Sequence, residues 1–197
     1  MPNTTDLDKQ ARGLTRVGIM RDAAEVKRYH TQRTLRQQTL GAHSFNMLLL
    51  VDQLAPMARK EVWQAVMHHD LPELFTGDMP APIKRLHPEL KVIMQEAEED
   101  LTPLYRELHL TVGEEQLVKF CDTMELTLWC LEEWQMGNRY VKACIVNGIT
   151  WMWEAPMALG DSADAQLELL HSVSEQAFRL RAIVDTDFSA NSWSRMA

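Results

Sequence analysis

Two histidines and two aspartates carry the densest chemistry in this chain: His43, the adjacent pair His69-Asp70, and Asp122. Imidazole nitrogens with carboxylate oxygens are a donor set for divalent Mn, Co, Fe, Ni or Zn, whereas an all-oxygen set would suit magnesium. His43 precedes one apolar run, His69-Asp70 closes another, and Asp122 lies inside FCDTMELTL. An isolated buried carboxylate is costly, so Asp122 needs a cation or hydrogen-bond donors. A metal would be one such partner; Lys119 or Arg139 would be another. Spacing alone leaves two readings open, a four-ligand metal site or scattered histidines beside a locally paired acid. His68 is a poorer ligand than His69, because successive helical residues point about 100° apart. His30, His87, His109 and His171 read as surface or satisfied polar histidines.

The stretch HHDLPELFTGDMP, 68–80, adds Glu73 and Asp78. Glu73 lies four residues beyond His69 and three beyond Asp70, on the same face if a helix continued. Pro72 opposes that continuation, since its ring clashes with a preceding helical turn. Asp78 follows a Thr-Gly step able to turn its carboxylate inward. A carboxylate near a metal site can orient water or move a proton; a solvated loop is the plain alternative for both acids. RDAAEVKRYHTQRTLR adds Arg21, Lys27, Arg28, Arg33 and Arg36, with Lys84 and Arg85 beyond the acidic loop. Arginine gives planar, paired contacts to phosphate. Most of these cations also fit a mixed, charge-balanced surface.

The elements that must carry these groups are helical. Sustained alternation is absent, while segments rich in Leu, Met, Glu, Gln and Ala recur. A tail over 1–20 gives way to a short helix near 22–29, and the non-helical HTQRTLRQQTLGA leads to His43. SFNMLLLVDQLAPMA reads as a buried helix that Pro56 interrupts or ends, and a second covers 59–69. TGDMPAP, 76–82, is a loop. Residues 88–108 form one long helix or two broken before Pro103. The clearest helix is 113–138, with acids at its start and Gly-Asn at its end; further helices occupy 139–155 and 162–183. The expectation is one compact all-α domain over 21–185 with a metal site between helices, and a frayed tail over 186–197.

The chain has 197 residues, 46% of them hydrophobic, enough for a sizeable core. A formal charge of -8 argues against nucleic-acid polymers and anionic membranes as partners, though not against a small anionic substrate. The three cysteines, Cys121, Cys130 and Cys144, form no CxxC and read as buried thiols of a reducing compartment. The first twenty residues lack a signal peptide's apolar run, and no stretch approaches the roughly 18 apolar residues of a membrane span. The expected location is cytoplasmic.

Taken together, RYHTQRTLRQQTLGAHS at 28–44, HHDLPELFTGDMPAPIK at 68–84 and KFCDTMELTLWCLEEWQMGN at 119–138 resemble the HD-domain phosphohydrolases, and within them the bacterial and phage 5'-deoxynucleotidases. Their order and approximate spacing match over most of 21–155. The resemblance implies a compact HD-domain helical bundle. It puts the metal ligands at His43, His69, Asp70 and Asp122, with Co, Mn or Zn as the ion. It puts the phosphate-binding arginine at Arg28, a glutamate around the attacking water at Glu73, and a substrate or proton-transfer aspartate at Asp78. Tyr29 stands where such enzymes commonly have tryptophan and would pack on sugar or base; Lys84 is a further candidate for substrate binding. A homodimer is also implied.

The first expectation is therefore hydrolysis of deoxynucleoside 5'-monophosphates to deoxynucleosides and phosphate. The alternative is a related triphosphohydrolase converting a dNTP to deoxynucleoside and triphosphate, with Arg33, Arg36 or Lys84 favouring the longer phosphate chain. A second alternative is a non-catalytic nucleotide-binding regulatory protein, in which Trp129, Trp134, Trp151 and Trp153 build a ligand pocket or dimer surface; core packing is their plainer role.

Overall fold

The computed structural model describes residues 16–78, 108–155, 162–184 and 187, with isolated positions between 86 and 96. The described residues form helices α1 (Arg16–Ala24), α2 (Leu40–Leu54), α3 (Lys60–His68), α4 (Glu73–Thr76), α5 (Val112–Gln135), α6 (Lys142–Glu154) and α7 (Ser162–Arg179), with a 3₁₀ turn at Arg139–Val141. Extended backbone contributes an isolated antiparallel bridge between Lys27 and Thr39. The chain is all-α. None of the described helices is long and apolar enough to cross a membrane.

Two compact units divide the chain. The first draws on Met1–Gln32, Gln37–Phe45 and Met67–His109; the second on Arg33–Arg36, Asn46–Val66 and Leu110–Ala197.

In the first unit, α1 lies earlier than the expected helix near 22–29. Turn bonds from Glu25 N to Asp22 O and Val26 N to Ala23 O close it. The bridge to Thr39 then holds Lys27 in extended backbone, and Tyr29 has φ +57°, so the chain cannot continue as a helix. Along α2, whose residues up to Phe45 belong to the first unit and the rest to the second, Leu40, His43, Met47, Val51 and Leu54 recur at three or four and are all buried. His43 thus occupies a core position of an apolar stripe. Gly41 fits close against α1: a Cβ there would meet the Ala24 Cβ at 2.9 Å and its carbonyl oxygen at 3.1 Å. The second predicted helix ends at His68, leaving His69 and Asp70 in a turn closed by Leu71 N to His68 O and Glu73 N to Asp70 O. Pro72 caps α4, where it needs no amide hydrogen.

In the second unit, α5 begins with a capping box, in which the Thr111 hydroxyl accepts from Glu114 N and Glu114 accepts from Thr111 N. It packs on α6, and Gly148 of α6 touches Thr127 of α5 so closely that a Cβ has no room. Phe120, Met124, Ile149, Met152 and Leu170 are among the core side chains. Trp129 and Trp153 are buried there, consistent with core packing; the Trp153 indole donates to Ser174 and the Trp134 indole to Leu180 O. Cys121 and Cys130 are buried, while Cys144 is only partly so. Residues 139–155 divide into the 3₁₀ turn and α6. Most of 88–108 and of the C-terminal tail lie outside the described residues.

Candidate functional site

The first unit gathers the ligand-type residues. His43 Nε2 lies 3.3 Å from His69 Nε2, His69 Nε2 lies 3.2 Å from Asp70 Oδ2, and His43 Nε2 lies 3.8 Å from the same oxygen. His43 is held rigidly by burial in α2, and the turn after α3 presents His69 and Asp70. Donors about 2.1 Å from one tetrahedral or octahedral ion stand about 3.0–3.4 Å apart. The observed separations overlap that range. With both rings in the Nδ1–H tautomer, two lone pairs and a carboxylate oxygen converge, and a divalent cation satisfies all three. The donor set therefore fits a transition-type metal.

Asp70 also accepts from Arg28 Nη1 at 2.7 Å. Burial opposes its ionisation. With the imidazoles protonated, the hydrogen bond from His69 and the charges of His69, Arg28 and His43 outweigh that and lower its pKa to about 2; with the rings neutral, the Arg28 guanidinium still stands on the carboxylate. The carboxylate is thus in its ligating form across the neutral range. Arg28 in turn has a fixed backbone: its amide donates to Gln38 O at 2.9 Å, and its guanidinium carbon lies 5.4 Å from the Tyr29 ring centroid. The left-handed conformation of Tyr29 costs a residue with a side chain about 1–2 kcal/mol. Against that cost, Tyr29 N donates to Asp78 Oδ2 at 2.7 Å, and Gln32 N donates to Tyr29 O at 2.9 Å.

Of the residues expected from sequence, His43, His69 and Asp70 come together as a metal-binding group, with Arg28 on Asp70 and Asp78 on Tyr29. Glu73 is buried at the start of α4, and its amide ties to Asp70 O. Asp122 belongs to the second unit, where Lys119 Nζ stands 2.6 Å from its Oδ2. Lys84 lies outside the described residues.

One arrangement in the second unit escaped the sequence reading. Glu133, fully buried, accepts from Leu35 N at 2.7 Å, Arg36 N at 2.9 Å and Asn138 Nδ2 at 2.8 Å. Asn138 Nδ2 also donates to Arg33 O at 2.9 Å. Arg36 Nη2 pairs with Glu132 at 2.7 Å, and its guanidinium lies over Trp129. The available signal was an acid at a core position of α5, three residues after buried Cys130.

An all-α chain with a His/His/Asp group at helix ends and an arginine on its carboxylate is a divalent-metal-dependent phosphohydrolase of the HD class. The sequence profile of the YfbR-like 5'-deoxynucleotidases matches residues 17–146, and the chain belongs to that family. It is 26% identical over 138 residues to a 5'-deoxynucleotidase of Cronobacter sakazakii, covering 57% of this chain and 69% of that protein. It is 35% identical over 115 residues to a dATP triphosphohydrolase of cyanophage S-2L, covering 54% of this chain and 65% of the phage protein. A solved structure, the cyanophage S-2L HD phosphohydrolase bound to dA and one catalytic zinc ion, aligns over 90% of this chain and 92% of the other at 19% identity, with a TM-score of 0.45. The activity is metal-dependent hydrolysis of a deoxynucleotide.

Proposed function

We propose that the chain hydrolyses deoxynucleoside triphosphates, dATP first among them, to deoxynucleoside and tripolyphosphate. The observation that carries this reading is the 35% identity to the phage dATP triphosphohydrolase, against 26% for the Cronobacter 5'-deoxynucleotidase. The monophosphate reaction, the first expectation from the family resemblance, becomes the second reading; the family profile favours it.

His43, His69 and Asp70 hold the metal, and Asp122 is proposed as its fourth protein ligand. When bound, the ion supplies Lewis-acid polarisation of the phosphate and a lowered pKa for water. Arg28, oriented by Asp70, meets the phosphate charge that builds in the transition state. Glu73 holds the attacking water and accepts its proton. The water oxygen bonds to the α-phosphorus, the bond from that phosphorus to the 5'-oxygen breaks, and the 5'-oxygen leaves with a proton. Tyr29 packs on the sugar or base, and Lys84 supports the phosphate chain. The catalytic region is taken as 21–185, working as a cytoplasmic homodimer; the resemblance supports the dimer and the sparse thiols support the compartment.

The test is to incubate zinc-, cobalt- and manganese-loaded protein separately with dATP, dAMP and AMP and to identify every product by chromatography. Deoxyadenosine with tripolyphosphate from dATP supports the proposal. Deoxyadenosine with orthophosphate from dAMP alone moves the assignment to the second reading. Metal binding without any turnover brings forward the non-catalytic nucleotide-binding protein.

A further inference from the structure

We infer that Asp78 is a positioning residue, whose carboxylate latches the backbone amide of Tyr29 and so presents Arg28 and Tyr29 to the nucleotide. This role rests on the deoxynucleotide reading above and replaces proton transfer for this aspartate.

Two observations meet at the bond. Tyr29 has φ +57°, a conformation that a residue with a Cβ keeps only when its surroundings hold it, and its amide donates to Asp78 Oδ2 at 2.7 Å. On the other side of the bond, Gly77 has φ +70° and ψ 163°, a backbone region open to glycine that swings the next residue out of the line of α4. A Cβ at Gly77 would meet nothing within 4 Å, so backbone conformation, and not space, is what calls for glycine. The two bends bring a carboxylate to an amide 49 residues away in sequence.

The bond completes a clamp. Arg28 N is fixed to Gln38 O, Tyr29 N to Asp78, and Gln32 N to Tyr29 O, while the Arg28 guanidinium is fixed to Asp70. Residues 70 and 78 of the one acidic segment therefore hold the two neighbours 28 and 29, one through a side chain and the other through the backbone. An ionised carboxylate accepting a backbone N–H is a strong tie. A group occupied in this way organises the phosphate-binding pair.

Asp78→Asn and Asp78→Ala separate the two roles. Asparagine keeps an oxygen that accepts from Tyr29 N but cannot transfer a proton; alanine removes both capacities. The latch predicts that Asp78→Ala raises KM for the deoxynucleotide on the order of tenfold, with a smaller change in kcat. It predicts that Asp78→Asn falls between alanine and wild type, and that both variants keep the limbs of the wild-type pH profile. Loss of kcat by about 10²–10⁴ in both variants, with one limb abolished, would assign Asp78 to proton transfer and overturn the latch.

A second readout needs no turnover. Selective ¹⁵N-tyrosine labelling gives few amide signals, since the chain has three tyrosines. The Tyr29 amide should exchange slowly in wild type and Asp78→Asn and faster in Asp78→Ala; equal rates in all three overturn the latch. If wild-type protein releases product from neither dATP nor dAMP, the substrate reading fails while amide exchange still decides the latch.

Discussion

Asp70 and Glu133 are both acids whose burial opposes ionisation and whose neighbours nevertheless lower the pKa. The company each keeps is different in kind. Glu133 faces donors that cannot become ligands: the amides of Leu35 and Arg36, the Asn138 side chain and the Arg36 guanidinium. Its oxygens are filled by N–H groups, and the result is a tie between the 33–36 segment and α5. Asp70 has one permanent cation, Arg28, and two imidazoles whose nitrogens can present lone pairs. A carboxylate surrounded by donors is complete. A carboxylate beside converging acceptors calls for a cation, and that distinction separates a structural acid from a metal ligand.

Removing a ligand has the largest expected effect. His69→Ala or Asp70→Ala should reduce both zinc content, measured by atomic absorption after loading, and deoxynucleotide turnover to background. Full zinc occupancy in either variant would show that the convergence seen in the first unit does not hold the ion. Asp122→Ala is expected to behave the same way, as the proposed fourth ligand; retained occupancy would remove Asp122 from the ligand set.

Arg28→Ala addresses the other neighbour of Asp70. It should lower kcat/KM about 10- to 100-fold, the range for losing a charged hydrogen bond to phosphate, while zinc content stays near wild type. An equal loss of metal would make Arg28 a support for Asp70 and remove it from phosphate binding.

Glu133→Gln probes the structural acid with little change of shape. A glutamine has one accepting oxygen and turns an NH₂ group toward amides that are themselves donors. The expected cost is about 1–3 kcal/mol of stability by denaturant unfolding. Because the folded pKa of Glu133 lies below its ordinary value of 4.5, its contribution is present above that value and is lost as pH falls through the folded pKa. The gap between wild type and the variant should therefore narrow below about pH 4.5. A gap independent of pH would assign the loss to packing.

How much of this was legible in the sequence follows the same division. The helical class was readable because apolar residues recur at three and four along α2 and α5. His43, His69 and Asp70 were readable as candidates because their types suit a metal, and the family resemblance chose that reading over scattered histidines. The placement of α1 was not, since it depends on the pairing of Lys27 with Thr39, twelve residues apart. The ties of Asp78 to Tyr29 and of Glu133 to Leu35 span 49 and 98 residues. Their partners are backbone amides, which every non-proline residue has, so residue type gives no hint of which amide is chosen.

Arg36, a cation bound to the structural acid, gives the smallest expected effect. From sequence it was one of three cations offered for a longer phosphate chain. In the second unit its guanidinium is engaged by Glu132 at 2.7 Å and by Glu133 at 3.5 Å, over the Trp129 ring. Moving it to a phosphate would leave two carboxylates without their cation, one of them fully buried. Arg36→Ala should therefore leave the ratio of dATP to dAMP turnover unchanged. Its stability should fall by less than in Glu133→Gln, since the Arg36 backbone amide still reaches Glu133. A selective loss of dATP turnover would show that the guanidinium leaves its carboxylates for the substrate, and would place Arg36 with Arg28 as a group that works on phosphate.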